Sequence, residues 1–382
     1  MAKITPDNIS DYTKSVTDLY NEFELLIYLK IISYLVDEEE YTAEQIREWQ
    51  VAKLGHVRGL ERYVNKTLAK TSKSATSEIR DITERASDDT LSDLDEEVIA
   101  LVLATKTKKL PDNPLPKTPY KEIATRQVNR LFNDINANVN QYLITNNFGR
   151  GSVTREYENI INRVANDVLA SNKTVRQAVE DAVIQSANKG LPSGFVDAGG
   201  YRWSVRRYMD NTVGSVVNDT YNEIRTKRMQ EYDIYTVLVS SLPNPAPRCQ
   251  HIQGTIADTR PIAEATSGFH SVYEFGYGQP DKHKGRNCRH QWLPYIRGAN
   301  TNNQPQYSDK EAEEAYKVLQ RQRTLERRIR ASKEKVELYN GLGNKDKARR
   351  YEMLKRKQQA EIRELVANNE NIGRNYAREK VY

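Results

Sequence analysis

Over most of its length this chain repeats one pattern, apolar residues three and four positions apart with charged residues filling the intervals. That is the period of an α-helix with one buried face. Leu25, Ile27, Leu29, Ile32, Leu35 and Val36 carry it near the start, where Asn8, Ser10 or Asp11 can cap a helix that ends at Asp37-Glu38-Glu39-Glu40. A second helix is expected after Thr42, with Ile46, Trp49, Leu54, Val57, Leu60 and Val64 on one side. A third is expected from about Asp93 to Lys106, with a bend in the Ser/Thr-rich stretch Thr71 to Ser77. With 38% hydrophobic and 29% charged residues in 382, such helices must keep wide solvated faces and cannot all surround one large core.

Four of the 13 prolines fall within 111–119, a density that no helix tolerates and that favours an extended linker. Helical spacing resumes with Val128, Leu131, Phe132, Ile135, Val139, Tyr142 and Leu143 and continues over Val153 to Leu169. Pro192, Gly194, Gly199 and Gly200 interrupt it, and Trp203 to Tyr232 reads as a long amphipathic helix. From Ile234 to Val239 the residues are β-branched and aromatic, followed by Pro243, Pro245 and Pro247. Strands are therefore expected only within about 234–298, in a small irregular module. In the tail, Ser308 and Glu311 form a capping box. Behind it, Ala315, Val318, Gln322, Leu325, Ile329, Ser332, Val336 and Tyr339 trace a heptad seam. Gly341-Leu342-Gly343-Asn344 stops that helix, and a second one from about Lys345 presents Tyr351, Leu354, Ile362 and Leu365.

The fold class that follows is mainly α. It divides into an N-terminal helical domain (1–110), a Pro-rich linker (111–119), a helical middle domain (120–232), a small α+β module (233–300) and an antiparallel helical hairpin (301–382). The tail seam is diluted by two polar residues, so the hairpin is expected to pack on a further surface: the chain's own N-terminal helices, a second copy or another protein.

Residues 1–120 hold 16 Lys+Arg against 22 Asp+Glu, whereas residues 301–382 hold 20 against 13. An acidic head and a basic tail call for different neighbours. Arg321, Arg323, Arg327, Arg328 and Arg330 are expected to crowd the outer face of the tail, and arginine pairs bidentately with carboxylate or phosphate. An acidic protein wall or DNA can meet them. No aromatic residue for base stacking lies within 321–338, which favours the protein. Tyr outnumbers Phe 23 to 6, as suits half-buried positions on thin helical layers and subunit interfaces. The longest apolar stretch, Leu25 to Val36, is 12 residues and carries Lys30 and Ser33, well short of the about 20 a membrane span needs. No secretory signal opens the chain, and a soluble protein made in a reducing compartment is expected.

Both cysteines and four of the five histidines lie between positions 249 and 290. Cys249, His251, Cys288 and His290, with His283 as a substitute, are the candidate ligands of a structural zinc ion, since thiolate and imidazole together suit zinc. A pair of packed thiols with hydrogen-bonded imidazoles, or a Cys249–Cys288 disulfide, are the alternatives. A metal-dependent nuclease would need carboxylates such as Asp258, Glu264, Glu274 or Asp281 to converge there, or His283, Asn287 and His290 to form a ββα-metal module. The chain has no nucleophile-elbow, P-loop, dinucleotide or paired-histidine metalloprotease motif. Nothing here argues for an enzyme.

The order of several blocks resembles the phage minor capsid protein 2 family, related to head-morphogenesis proteins similar to phage Mu protein F. The blocks are Gly200-Tyr201-Arg202-Trp203 through Tyr208-Met209-Asp210, then Val237-Leu238-Val239-Ser240-Ser241, then Pro247-Arg248-Cys249 with Gln253-Gly254. Asn287-Cys288-Arg289-His290 with Pro294-Tyr295 and Gly298 follows, and the tail runs from Gln320-Arg321-Gln322-Arg323 to Ile329-Arg330. The resemblance is good over about 195–340 and one of texture before that. Cys249-Gln250-His251 and Asn287-Cys288-Arg289-His290 correspond loosely to the cysteine-rich groups of the Mu-like proteins. The resemblance implies a minor capsid protein inside the head of a tailed phage near the portal vertex, present in the host cytoplasm during assembly. Its implied partners are the portal and other capsid proteins and the packaged DNA; self-association is expected from the tail seam, and no membrane from the short apolar stretches. Its implied work is head assembly or DNA packaging and ejection. A DNA-binding protein with a zinc-stabilised module is the alternative, and a metal-dependent nuclease the lesser one.

Overall fold

The computed structural model describes residues 8–37, 41–42, 44–105, 110, 116–145, 150–170, 173–279, 281–285 and 288–381. The fold is mainly α, with a small α+β part. Helix α1 (Ile9–Leu35) buries Val16, Tyr20, Phe23, Ile27 and Ile31 along one face. A short α2 (Ile46–Leu54) and a 49-residue α3 (Val57–Thr105) follow. The expected bend at Thr71–Ser77 is absent, and the break falls at Gly55-His56 instead. Within α3 the hydroxyls of Thr76, Thr83 and Thr90 donate to the carbonyls of Ser72, Ile79 and Ala86, so these side chains are satisfied by the helix's own backbone. Ala75, Ile79, Ile82 and Ala86 meanwhile continue the buried stripe.

Helix α4 (Thr118–Ile135) passes through a π turn (Asn136–Asn140) into α5 (Gln141–Ile144). α6 (Ser152–Ala170) and α7 (Val175–Lys189) come next, α7 opened by a Thr174/Gln177 capping box. Of the Pro-rich linker, Pro111 and Pro114 lie outside the described residues, and Pro119 sits in the first turn of α4.

Strands β1 (Pro192–Val196) and β2 (Arg202–Ser204) pair antiparallel, outside the 234–298 region to which strands were expected to be confined. Of the glycines that interrupt the helical pattern, Gly199 and Gly200 form the turn of this hairpin and Gly194 lies within β1. Gly200 has φ +80°, and the Asp197 carboxylate accepts from Gly199 N, Tyr201 N and Trp203 Nε1 at 2.9–3.0 Å. Ser204 then caps α8 (Val205–Glu231).

In the module, β3 (Thr236–Val239), β4 (Ile256–Asp258), β5 (His270–Ser271) and β6 (Trp292–Pro294) form a sheet of order β5-β4-β3-β6. β3 runs antiparallel to β4 and β6, and β4 parallel to β5. The module's core, including Val237, Val239, Ile252, Val272 and Trp292, closes on Leu94, Val98 and Val102 of α3 and Met229 of α8. A buried arginine of α8 fastens it, Arg225 donating to the Trp292 carbonyl at 2.7 Å, while Arg228 forks onto Asp95 at 2.7 Å twice and ties α8 to α3.

The tail is the expected hairpin of α9 (Asp309–Gly341) and α10 (Lys345–Ala367), with the Ser308/Glu311 capping box formed. Both polar residues of its seam are buried and paired, Gln322 with the Gly373 carbonyl at 2.7 Å and Ser332 with Gln358 at 2.9 Å. The hairpin's base, Leu338, Tyr339, Leu342 and Ala348, enters the main core together with α1, α3, α6, α7 and α8. Sequence segments 1–110, 120–232 and 301–382 therefore share one apolar cluster, and the surface on which the hairpin packs is the chain's own.

Candidate metal centre

Cys249 ends a 3₁₀ turn, Pro247–Cys249, held by its own N–H to the Ala246 carbonyl at 2.8 Å. His283, Cys288 and His290 come from the loop that leads into β6. Buried Lys284, at φ +61°, ties this loop down by donating to the His290 carbonyl and to Asn222 of α8, each at 2.7 Å. The four ligand-type atoms of Cys249, His283, Cys288 and His290 all lie within 4.8 Å of one another, and all four residues are buried.

His251 is exposed and is not part of this group; His283 stands in its place. The chain turns at Cys249, whose carbonyl accepts from Ile252 and Gln253, and residue 251 is carried to the outside of that turn. His270 is exposed as well and pairs with Glu274 at 2.8 Å. The tail arginines do not share one face. Arg323, Arg327 and Arg330 line a cleft against α1 and the module, while Arg321 and Arg328 are exposed outside it.

Two of the donor separations match those of a tetrahedral ion. Zinc bonds of about 2.3 Å to sulfur and 2.0–2.1 Å to nitrogen put ligand atoms about 3.8 Å apart for S···S and about 3.6 Å for S···N. Here Cys249 Sγ and Cys288 Sγ are 3.9 Å apart, and Cys288 Sγ and His290 Nδ1 are 3.5 Å apart. The sulfur separation excludes the disulfide, which needs about 2.0 Å. His290 Nε2 lies 3.1 Å from Gln253 Oε1, so its proton belongs there and Nδ1 is left to bind. His283 Nδ1 is buried beside the Cys288 thiol, while its Nε2 accepts from Trp292 Nε1 at 2.9 Å. In the neutral ring that places the proton on Nδ1, so an ion bound at Nδ1 moves it to Nε2 at the expense of the Trp292 hydrogen bond.

The two thiols share a hydrogen bond that drives their titration apart: Cys249 is pushed up, and Cys288 is held well below the usual thiol range with help from His283 and His290. Burial pulls the His283 imidazole down, so it is neutral and fit to ligate. Among the described residues no carboxylate joins the group, and four protein donors would fill a tetrahedron without leaving a position for water. That is the donor set of a structural ion rather than a hydrolytic one. Asp258, one of the carboxylates a nuclease would need, is occupied by Arg260 and Thr266 instead. Asn287 lies outside the described residues. Sequence reasoning missed Trp292 and Lys284, whose positions only the folded loop reveals.

No helix among the described residues is long and apolar enough to cross a membrane. No solved structure matches the chain. A structural protein of Lactococcus phage LL-H is 26% identical over 379 residues, covering 96% of this chain and 99% of the relative. A structural protein of Lactococcus phage mv4 is 33% identical over 111 residues, 29% of this chain and 90% of the relative. The profile of the phage minor capsid protein 2 family matches residues 4–367, nearly the full length, and the chain belongs to that family.

Proposed function

We propose that this minor capsid protein sits inside the phage head near the portal vertex. There it acts without catalysis in head assembly or in DNA packaging and ejection, with the portal and other capsid proteins as partners. The observation that carries this reading is the family match over residues 4–367, supported by the near full-length likeness to a phage structural protein. Long helices fastened by buried arginine pairs suit a load-bearing part. Within it, Cys249, His283, Cys288 and His290 hold one structural zinc ion that ties the 3₁₀ turn to the loop before β6. The test is a phage from which the gene has been deleted. Its heads are expected to lack the protein, to assemble poorly or to fail to retain DNA, and complementation is expected to restore a few copies per virion, protected from protease until the head is opened. Normal infectious heads without the protein, or a protease-sensitive position on the outer shell, would refute this placement. A second reading, DNA binding, draws on the basic balance of residues 301–382, and steep loss of affinity with salt is its signature.

A further inference from the structure

Where α1, α8, α9 and the module meet they leave a cleft of about 600 Å³. Its charge is one-sided. Lys14 enters from α1, already paired with Asp18, and Arg248 and Arg289 enter from the module. Arg323, Arg327 and Arg330 enter from α9, and Arg378 from the turn Tyr376–Glu379. Two carboxyl groups, Asp210 and Glu326, share the wall, and burial raises Glu326 to about 7, so that group offsets less of the positive charge.

Uncharged oxygens hold several of these guanidinium groups in place. Arg289 donates to the Asn244 carbonyl at 3.2 Å and to its side-chain oxygen at 2.5 Å. Arg327 donates to the Thr324 hydroxyl at 2.9 Å, and Arg330 to the Arg378 carbonyl. The ion pairs Arg323–Glu326 and Arg378–Asp11 are long, at 4.0 and 3.7 Å. Cations brought from separate elements into a part-enclosed space repel one another, and an anion among them removes that cost. Arginine forks match phosphate oxygens two at a time. The volume is that of a small-ligand site rather than of a duplex groove, and Leu242, Tyr316 and Leu319 add an apolar wall.

We propose that this cleft binds a small phosphate-bearing polyanion, either an inorganic oligophosphate or a nucleoside triphosphate, gripped by the arginines of α9 and the module. The proposal goes beyond the structural role and stands apart from the protein's position in the virion. The probes are tripolyphosphate and dATP, titrated by calorimetry into the full-length protein in phosphate-free buffer. Saturable binding at one site per chain is expected. Tighter binding of dATP would identify a nucleotide, and equal or tighter binding of tripolyphosphate an inorganic source; either supports the site. Arg323→Gln with Arg327→Gln is expected to weaken binding at least about tenfold. Arg321→Gln with Arg328→Gln makes the same charge change on the same helix outside the cleft and should leave Kd within about twofold. Arg327→Gln alone, at an exposed position, guards against misfolding of the double variant and should also weaken binding. Absence of binding by both probes at millimolar concentration, or equal weakening by the two double variants, would overturn the proposal. Preference for a glutamate-rich peptide or for long DNA would do the same.

Discussion

His251 and His283 separate chain proximity from spatial proximity. His251 is two residues from Cys249 yet exposed, whereas His283 is 34 positions away and packed against both thiols. Purified protein is therefore expected to hold about one zinc per chain by elemental analysis. His283→Ala should lose that zinc and loosen the 3₁₀ turn, while His251→Ala keeps it; zinc loss in the His251 variant with retention in the His283 variant would reverse the assignment. Glu326 carries a second residue-scale consequence. Burial lifts its carboxyl from 4.5 to about 7, against the pull of Arg323 and Arg330. Between those two values the unfolded chain ionises while the folded one stays protonated, so this group's contribution to stability falls as pH rises through the window. Glu326→Gln, which cannot ionise, should gain on the wild type between pH 5 and pH 8 by at most about 3 kcal/mol. Denaturation midpoints that run parallel across that range would show that Glu326 titrates normally.

At the scale of elements, α3 is the main lesson. Ser/Thr-rich stretches favour turns because their hydroxyls compete for backbone partners, but inside a helix the same hydroxyls can bond to the carbonyl four residues back. Thr76, Thr83 and Thr90 do this, and Asn140 of the π turn donates to Ser72 at 3.1 Å, which docks the neighbouring helix on the stretch read as a bend. Proline tests the point at exposed Lys73. In a continuous helix Lys73→Pro removes a backbone hydrogen bond and clashes with the preceding turn, at a cost of about 3 kcal/mol or more, so the melting temperature should drop clearly. A bend at that position would accept the proline with little change.

At the scale of the whole molecule, the C-terminal hairpin is an integral part of the fold. Its base shares the main core, Arg206 of α8 pairs with Glu334 of α9 at 2.6 Å, and Asn344 donates to Glu180 of α7 at 2.7 Å. The mainly α class, the capping box at Ser308, the hairpin turn before Lys345 and the small β-containing module were legible in the sequence because each rests on local spacing and local hydrogen bonds. The β1–β2 hairpin was not: Gly199 and Gly200 mark a break in helical period, but only the Asp197 carboxylate gathering three N–H groups makes that break a turn between strands. Likewise the sequence confined the metal-type residues to 249–290, since composition alone clusters them there. Which histidine faces the thiols, and which arginines face a cleft rather than solvent, was decided by tertiary structure, because both depend on how a loop or helix is turned by partners far away in the chain.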